Sequence, residues 1–205
     1  MKTVHKTESF DLKRDIRSRH PSFRSAVVAD AQVTAAYRGE RSDFRSDLDA
    51  IIQIVRLAWT SDAFLAQAIY RAKAAMQRRE IPLLPRLAHR ASMAIAQIAI
   101  GDPVVMHPGV YIAHGQVVID GVTEIMGGGV IAPFVSIGLQ AGNLQGPVIE
   151  ENVHVGTGSR LLGEFRVGEG AMIGANCVVT KDVPADTIVV GVPARPVGPA
   201  PGAGV

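Results

Sequence analysis

Three histidines stand in the second half of the 205-residue sequence, at His107, His114 and His154. Imidazole is the side chain best suited to take or give a proton near neutral pH. Three imidazoles could also close a zinc site. Against that, neither His107 nor His114 has another histidine four or five residues away. The chain has one thiol, Cys177, so an intramolecular disulfide is excluded and nothing points to an oxidising compartment. Cys177 falls at an inward-facing position of the repeat described next, which makes it core packing rather than a nucleophile.

The element that must position these groups has a period of six. Ile149, Val155, Leu161, Val167, Ile173 and Val179 recur at that spacing, and small or polar residues follow all but Leu161. Six fits neither a helix of period 3.6 nor a lone strand of period 2. It marks a solenoid in which each hexad is one flat side of a coil and apolar residues stack into a column. The count begins upstream at Ile100, Met106 and Ile112, takes in one extra residue, and continues through Ile119, Ile125, Ile131 and Ile137. Asn143 holds the next station inside a polar segment. Three hexads to a turn give about four to five turns.

Glycine draws the boundary: only Gly39 lies in residues 1–100, and the other twenty of 21 follow from Gly101. Glycine is costly in helices and useful at corners. Residues 1–100 therefore read as a helical domain whose polar residues 1–25 form a mobile lead, residues 101–196 as the solenoid, and 197–205 as a flexible tail. Helices are expected over 43–59, from a Ser61 or Asp62 cap to Pro82, and from Pro85 to about Ala99. Trp59 reads as core, His89 as a surface residue, and Arg71, Arg78 and Arg79 as a solvated helix face. Residues 1–100 carry seventeen Lys and Arg against ten Asp and Glu, and residues 101–205 carry four against nine. Basic residues are not interleaved with aromatics, so nucleic acid is not the expected partner. No signal-peptide pattern or membrane-length apolar run is present, which favours a cytoplasmic protein.

The sequence resembles the hexapeptide-repeat acyltransferases, which are left-handed parallel β-helices. Ile173-Gly174-Ala175-Asn176-Cys177-Val178-Val179 is similar to their repeat. Val179-Thr180-Lys181-Asp182-Val183-Pro184 and Val190-Gly191-Val192-Pro193-Ala194-Arg195 resemble their last coil and exit. The helical first half, His107-Pro108-Gly109 and then His114-Gly115 follow the order of the serine acetyltransferases. The resemblance implies an all-β solenoid behind a helical domain, and acetyl transfer from acetyl-CoA to a hydroxyl with no metal and no covalent enzyme intermediate. His114 matches the general base, and Gly138 the glycine turn that offers an oxyanion donor. Gly156, Thr157, Gly174 and Ala175 match backbone positions along the CoA groove, where small residues admit a pantetheine arm. Lys181 and Arg195 match cationic positions near its phosphates. A corner demanded by the coil explains the same glycines structurally. The resemblance also implies a homotrimer or a hexamer of two trimers, and a place in cysteine synthesis with a partner that grips a C-terminal isoleucine, here Val205.

The chain departs from that pattern where an amino-acid acceptor would be held. Val105 and Ala113 replace acidic residues, and the short Asn143–Pro147 segment lacks a histidine. Two acceptors therefore stay open: serine or a serine-like amino acid, and a sugar or exopolysaccharide hydroxyl. Asp120 or Glu124 could orient the catalytic imidazole in place of the missing carboxylate. A zinc protein like the γ-class carbonic anhydrases, on the three solenoid histidines, and a non-catalytic solenoid are the remaining readings.

Overall fold

A computed structural model describes residues 6–201, and the side chains of all of these but 6–11 and 13. Five helices precede a parallel β-solenoid: α1 (Lys6–Arg19), α2 (Phe23–Tyr37), α3 (Asp47–Thr60), α4 (Asp62–Arg78) and α5 (Leu84–Ala96). Part of the expected mobile lead is thus helical: α1 and the start of α2 occupy it. Ser61 caps α4 as its sequence suggests, its hydroxyl accepting the N–H of Phe64 at 3.3 Å. The solenoid begins at Ile98, one residue before the expected end of α5 at Ala99. Residues 197–200 of the expected tail fold back instead of leaving. Arg195–Pro199 pairs antiparallel with Thr187–Val190, and Ala200 N–H reaches the Asp186 carbonyl. Val205 and residues 1–5 lie outside the described residues.

Successive hexads are dealt in turn to three sheets of five, four and six strands, here A, B and C. Sheet A stacks Ile100, Ile119, Ile137, Leu161 and Val179. Sheet B stacks Met106, Ile125, Ile149 and Val167, and sheet C stacks Ile112, Ile131, Val155, Ile173 and Val189. All are buried in one core that also takes in Cys177. The period of six is therefore one side of a triangular prism, as its sequence requires.

A parallel solenoid has an unfinished floor. Each rung sends its N–H groups to carbonyls of the next: Gly101 to Ile119, His107 to Ile125, Ala113 to Ile131. The first rung's own carbonyls then face away from any strand, and buried carbonyls need donors. Helix α4 supplies them from one face. Gln67 Nε2 donates to Val110 O at 2.9 Å, Tyr70 Oη to Val104 O at 2.9 Å and Lys73 Nζ to Ile100 O at 2.6 Å. Arg71 donates to the carbonyls of Met106 and, at 2.8 Å, His107. The Arg71 guanidinium also grips Asp30 of α2 at 2.8 and 3.1 Å, and Asp30 accepts the Gly109 N–H at 2.9 Å. These side chains are 2% and 1% exposed, so Arg71 is no part of a solvated face.

Trp59 is likewise not core: it is 89% exposed, on a stripe of α3 with Leu48, Ile51, Ile52 and Val55 that faces out of the chain. Leu57, on the opposite side, is the α3 residue packed with Phe64 and Val27.

Two stability predictions follow from this floor. Arg71→Met strands a buried Asp30 carboxylate and two carbonyls, and the expected loss is about 3–5 kcal/mol in denaturant unfolding. His20 is buried, and its Nδ1 lacks a hydrogen-bond partner among the described residues. Burial first, then Arg71, Lys73, Arg78 and Arg19, lower its pKa to about 4 from an ordinary 6.5. The unfolded chain therefore binds this proton more readily, and stability falls as pH drops from about 6.5 to 4, by roughly 3 kcal/mol. His20→Gln should flatten that part of the stability–pH curve; an unchanged slope would assign it to other groups.

Candidate functional site

The three corners of the prism carry different chemistry. Each strand of sheet C turns into sheet A through Ala113–Gln116, Ala132–Phe134, Gly156–Gly158 and Gly174–Asn176, one above the other. This C/A corner brings together five of the sequence-predicted site residues: His114, Gly156, Thr157, Gly174 and Ala175. His114 sits exposed at its foot, in a turn with φ of 63°. Gly115 follows at φ 98° with the Ala96 carbonyl only 2.4 Å from where a Cβ would stand, so the turn is pressed against the end of α5. Gln116 N–H closes on that carbonyl at 2.8 Å.

The small residues of this ridge first serve the coil. A Cβ on Gly156 would lie 2.6 Å from Ile173 O and 2.8 Å from Ala175 N, and one on Gly174 would lie 2.9 Å from Val190 Cγ1. Both directions point at the next rung. The resulting ridge is bare backbone and small side chains, which leaves a flat track on the outside.

Gly138 is elsewhere. It ends a sheet A strand whose neighbour begins just after His114, so the two lie at opposite ends of that sheet, and Gly138 packs against the Asp120 carbonyl. Within one chain the expected base and oxyanion turn are not joined. Lys181 also lies at this A/B corner. Together with Arg195 it lines a cleft of about 220 Å³ under the exit strand.

Two larger clefts open beside α1, and Leu12 lines both. One, of about 440 Å³, lies at the A/B corner of the first rungs, with Ile16, Leu139 and Leu144 against Arg17, Asp102 and Asp120. Burial pushes the Asp102 carboxyl up, but Lys73, 3.0 Å away, more than offsets this and holds it below the ordinary range. The other, of about 560 Å³, lies on the outer face of sheet B and is lined by Arg19, Thr123, Glu124, Gln145, Glu164 and Arg166.

Glu124 does orient an imidazole, but that of His107 rather than His114. Its Oε1 lies 2.9 Å from His107 Nε2, while its Oε2 accepts from Arg19 at 2.8 Å. Asp120, the other carboxylate considered, sits at the A/B corner, away from His114. The sequence does not show the His107–Glu124 pair, because seventeen residues and a full turn separate two groups that the coil stacks on neighbouring rungs. His154 meets Tyr37, which stacks on Tyr111 with centroids 4.6 Å apart. The three solenoid histidines thus occupy two different corners and a sheet face. Among the described residues no three His, Cys, Asp or Glu side chains converge as a metal would require.

With fold and corners in view, the chain can be set beside known proteins. Residues 146–181 match the bacterial transferase hexapeptide family of six repeats. The chain is also similar to serine acetyltransferases. It is 33% identical over 136 residues to serine acetyltransferase of Synechococcus elongatus, covering 64% of this chain and 55% of that one. It is 37% identical over 129 residues to that of Mycobacterium tuberculosis, covering 57% and 56%. The chain thus spans about half the length of these relatives. The structure of soybean serine acetyltransferase complexed with serine superposes with a TM-score of 0.73 at 28% identity, over 96% of this chain and 78% of the soybean one. Serine acetyltransferase from Brucella abortus in complex with coenzyme A shares the fold, with a TM-score of 0.73 at 22% identity over 94% and 73%.

If the ridge glycines are required by the coil, Gly156→Ala should destabilise the protein by about 1–3 kcal/mol. Thermal unfolding measures this, and an unchanged midpoint would show that the corner relaxes freely.

Proposed function

We propose that this chain is an acetyl-CoA-dependent O-acetyltransferase acting on the hydroxyl of serine or a serine-like amino acid. The observation that carries the reading is the 33% and 37% identity to two serine acetyltransferases. The bare C/A ridge suits a pantetheine arm, and the Lys181–Arg195 cleft suits phosphate oxygens. The donor would lie along the ridge at Gly156, Thr157, Gly174 and Ala175.

In this reading the acceptor oxygen attacks the thioester carbonyl directly. An imidazole of the first rung takes its proton, because a neutral alcohol is a poor nucleophile. The resemblance assigns that role to His114. A backbone N–H beside Gly138 would steady the oxyanion. Since His114 and Gly138 lie at opposite ends of sheet A, using both in one reaction requires two subunits, which supports a trimeric assembly. The outward α3 stripe supports a further joining of trimers, through apolar faces that single chains leave in water.

The cleft holding Asp120, Asp102 and Arg17 fits an amino-acid acceptor: carboxylates for an ammonium, guanidinium for a carboxylate, apolar walls between. The missing acidic positions at Val105 and Ala113 would then be replaced from the A/B corner. The polar cleft on sheet B favours the second reading, a sugar hydroxyl, since its amide, hydroxyl and carboxylate groups suit a polyol. An O-acetylated amino acid would serve cysteine synthesis in the cytoplasm. Among the described residues no helix is long and apolar enough to cross a membrane.

The test is acceptor-dependent thiol release from acetyl-CoA, with serine, homoserine and simple sugars. Release with serine is the expected result; release with sugars alone moves the acceptor to the second reading, and no release with any hydroxyl overturns the proposal. For assembly, Val55→Glu should lower the mass seen by light scattering from hexamer to trimer. An unchanged mass would separate α3 from the assembly.

A further inference from the structure

We propose that Phe134 closes the acyl end of the donor track, and so selects a short acyl group, acetyl, over longer ones. This rests on the transferase reading and adds what sets the choice of donor. Four stations stack on the C/A ridge where each turn enters sheet A: Gln116, Phe134, Gly158 and Asn176, each two residues before a member of one register, Val118, Ser136, Arg160 and Val178. All four hold a positive φ, of 57°, 63°, 75° and 56°. The coil therefore dictates the backbone here, and glycine or asparagine meets it at least cost. Phenylalanine does not, because a bulky side chain at positive φ is an outlier. Nor does it gain by packing: Phe134 is 53% exposed, the one large apolar side chain in water among the ridge residues. An outlier that neither coil nor core calls for points to function.

The root of the ring is fixed. Pro133 precedes it with a locked φ, and the Pro133 carbonyl accepts the Gly158 N–H at 3.0 Å. Arg160 bends back from sheet A, and its Nη1 donates to the carbonyls of Phe134 at 2.5 Å, Gly158 at 2.8 Å and Ser159 at 3.1 Å. A backbone pinned on both sides leaves the ring only its own side-chain torsions, so it can act as a wall.

Its level on the ridge decides what it meets. The bare stretch, Gly156–Gly158 and Gly174–Ala175, lies on the next rungs up, and Lys181 and Arg195 stand at the level of the last coil. A donor with its phosphates at those cations runs its pantetheine arm toward earlier rungs, which are about 4.8 Å apart. The bare stretch stops at Ala132-Pro133-Phe134, so the acyl group comes up against the ring. Phe134 also shares a rung with Gly138, since the strand Ser136–Gly138 begins two residues after it. Copies packed side by side about an axis along the prism set Phe134 of one chain level with the Gly138 turn of the next, where the oxyanion would be held. In this arrangement an acetyl methyl ends short of the ring, and each further methylene must displace it. The step itself is unchanged: the acceptor oxygen bonds to the thioester carbonyl carbon, the carbon–sulfur bond breaks, and the acceptor's proton ends on the departing thiolate.

Steady-state kinetics of the full chain with acetyl-, propionyl- and butyryl-CoA test this, with serine or whichever sugar supports thiol release. The wild-type protein should prefer acetyl-CoA. Phe134→Asn removes the ring and suits the backbone, and it should raise kcat/KM for butyryl-CoA relative to acetyl-CoA by about tenfold or more. Phe134→Leu, which keeps bulk, should move the ratio less. A merely structural role would lower the rate with every donor and leave the ratio alone. An unchanged or lowered ratio in folded Phe134→Asn therefore overturns the inference. If light scattering then also shows a smaller mass, the ring is a contact between copies instead. Should Phe134→Asn not fold, Phe134→Gly takes its place under the same criteria. A wild-type protein that uses butyryl-CoA as readily as acetyl-CoA overturns the inference and leaves the transferase reading standing. No turnover with any donor and acceptor removes that reading, and this inference with it.

Discussion

The structure depends on how a parallel solenoid is closed at its first rung. Carbonyls of residues 100–110 face a level where no strand exists, and four side chains of α4 donate to them. Leaving such groups buried and unpaired would cost on the order of 1–3 kcal/mol each. The helical region is therefore the floor of the prism as much as a domain beside it. Asp30 completes the floor by neutralising Arg71 and by taking the Gly109 N–H, so α2, α4 and the first corner form one polar assembly. At the other end, Arg195–Pro199 folds back on the last rung and covers it.

The floor also fixes the chemistry above it. Arg71 holds the carbonyl of His107, whose imidazole meets Glu124 one rung higher, and Glu124 ties back to α1 through Arg19. Helix α1 in turn roofs both clefts. The side chains that could bind an acceptor thus come from helix and solenoid together. The upper C/A ridge, from Gly156 to Asn176, is by contrast made by the coil alone, and its foot at Gly115 and Gln116 rests on the end of α5.

The repeat was legible in the sequence because its cause is local and periodic. A column such as Ile149, Ile125 and Met106 needs only the count of six, and Cys177 could be put inside on the same count. Ser61 was legible as a cap because its partner is three residues away. Arg71 was not: an arginine between Tyr70 and Ala72 on a helix reads the same whether solvent or a carbonyl floor lies beyond it. Trp59 and its stripe were misread for the converse reason, since an apolar face does not say whether its partner is in the same chain. The His107–Glu124 pair was hidden because stacking joins residues a full turn apart, and His114 drew attention through the resemblance rather than through any partner of its own.

Acetyl transfer to oxygen is the central claim, and the most direct measurement is mass spectrometry of the acceptor after incubation with isotopically labelled acetyl-CoA. The account predicts labelled O-acetylated amino acid, formed only with enzyme present. Label recovered solely as free acetate, or left on coenzyme A, would contradict it.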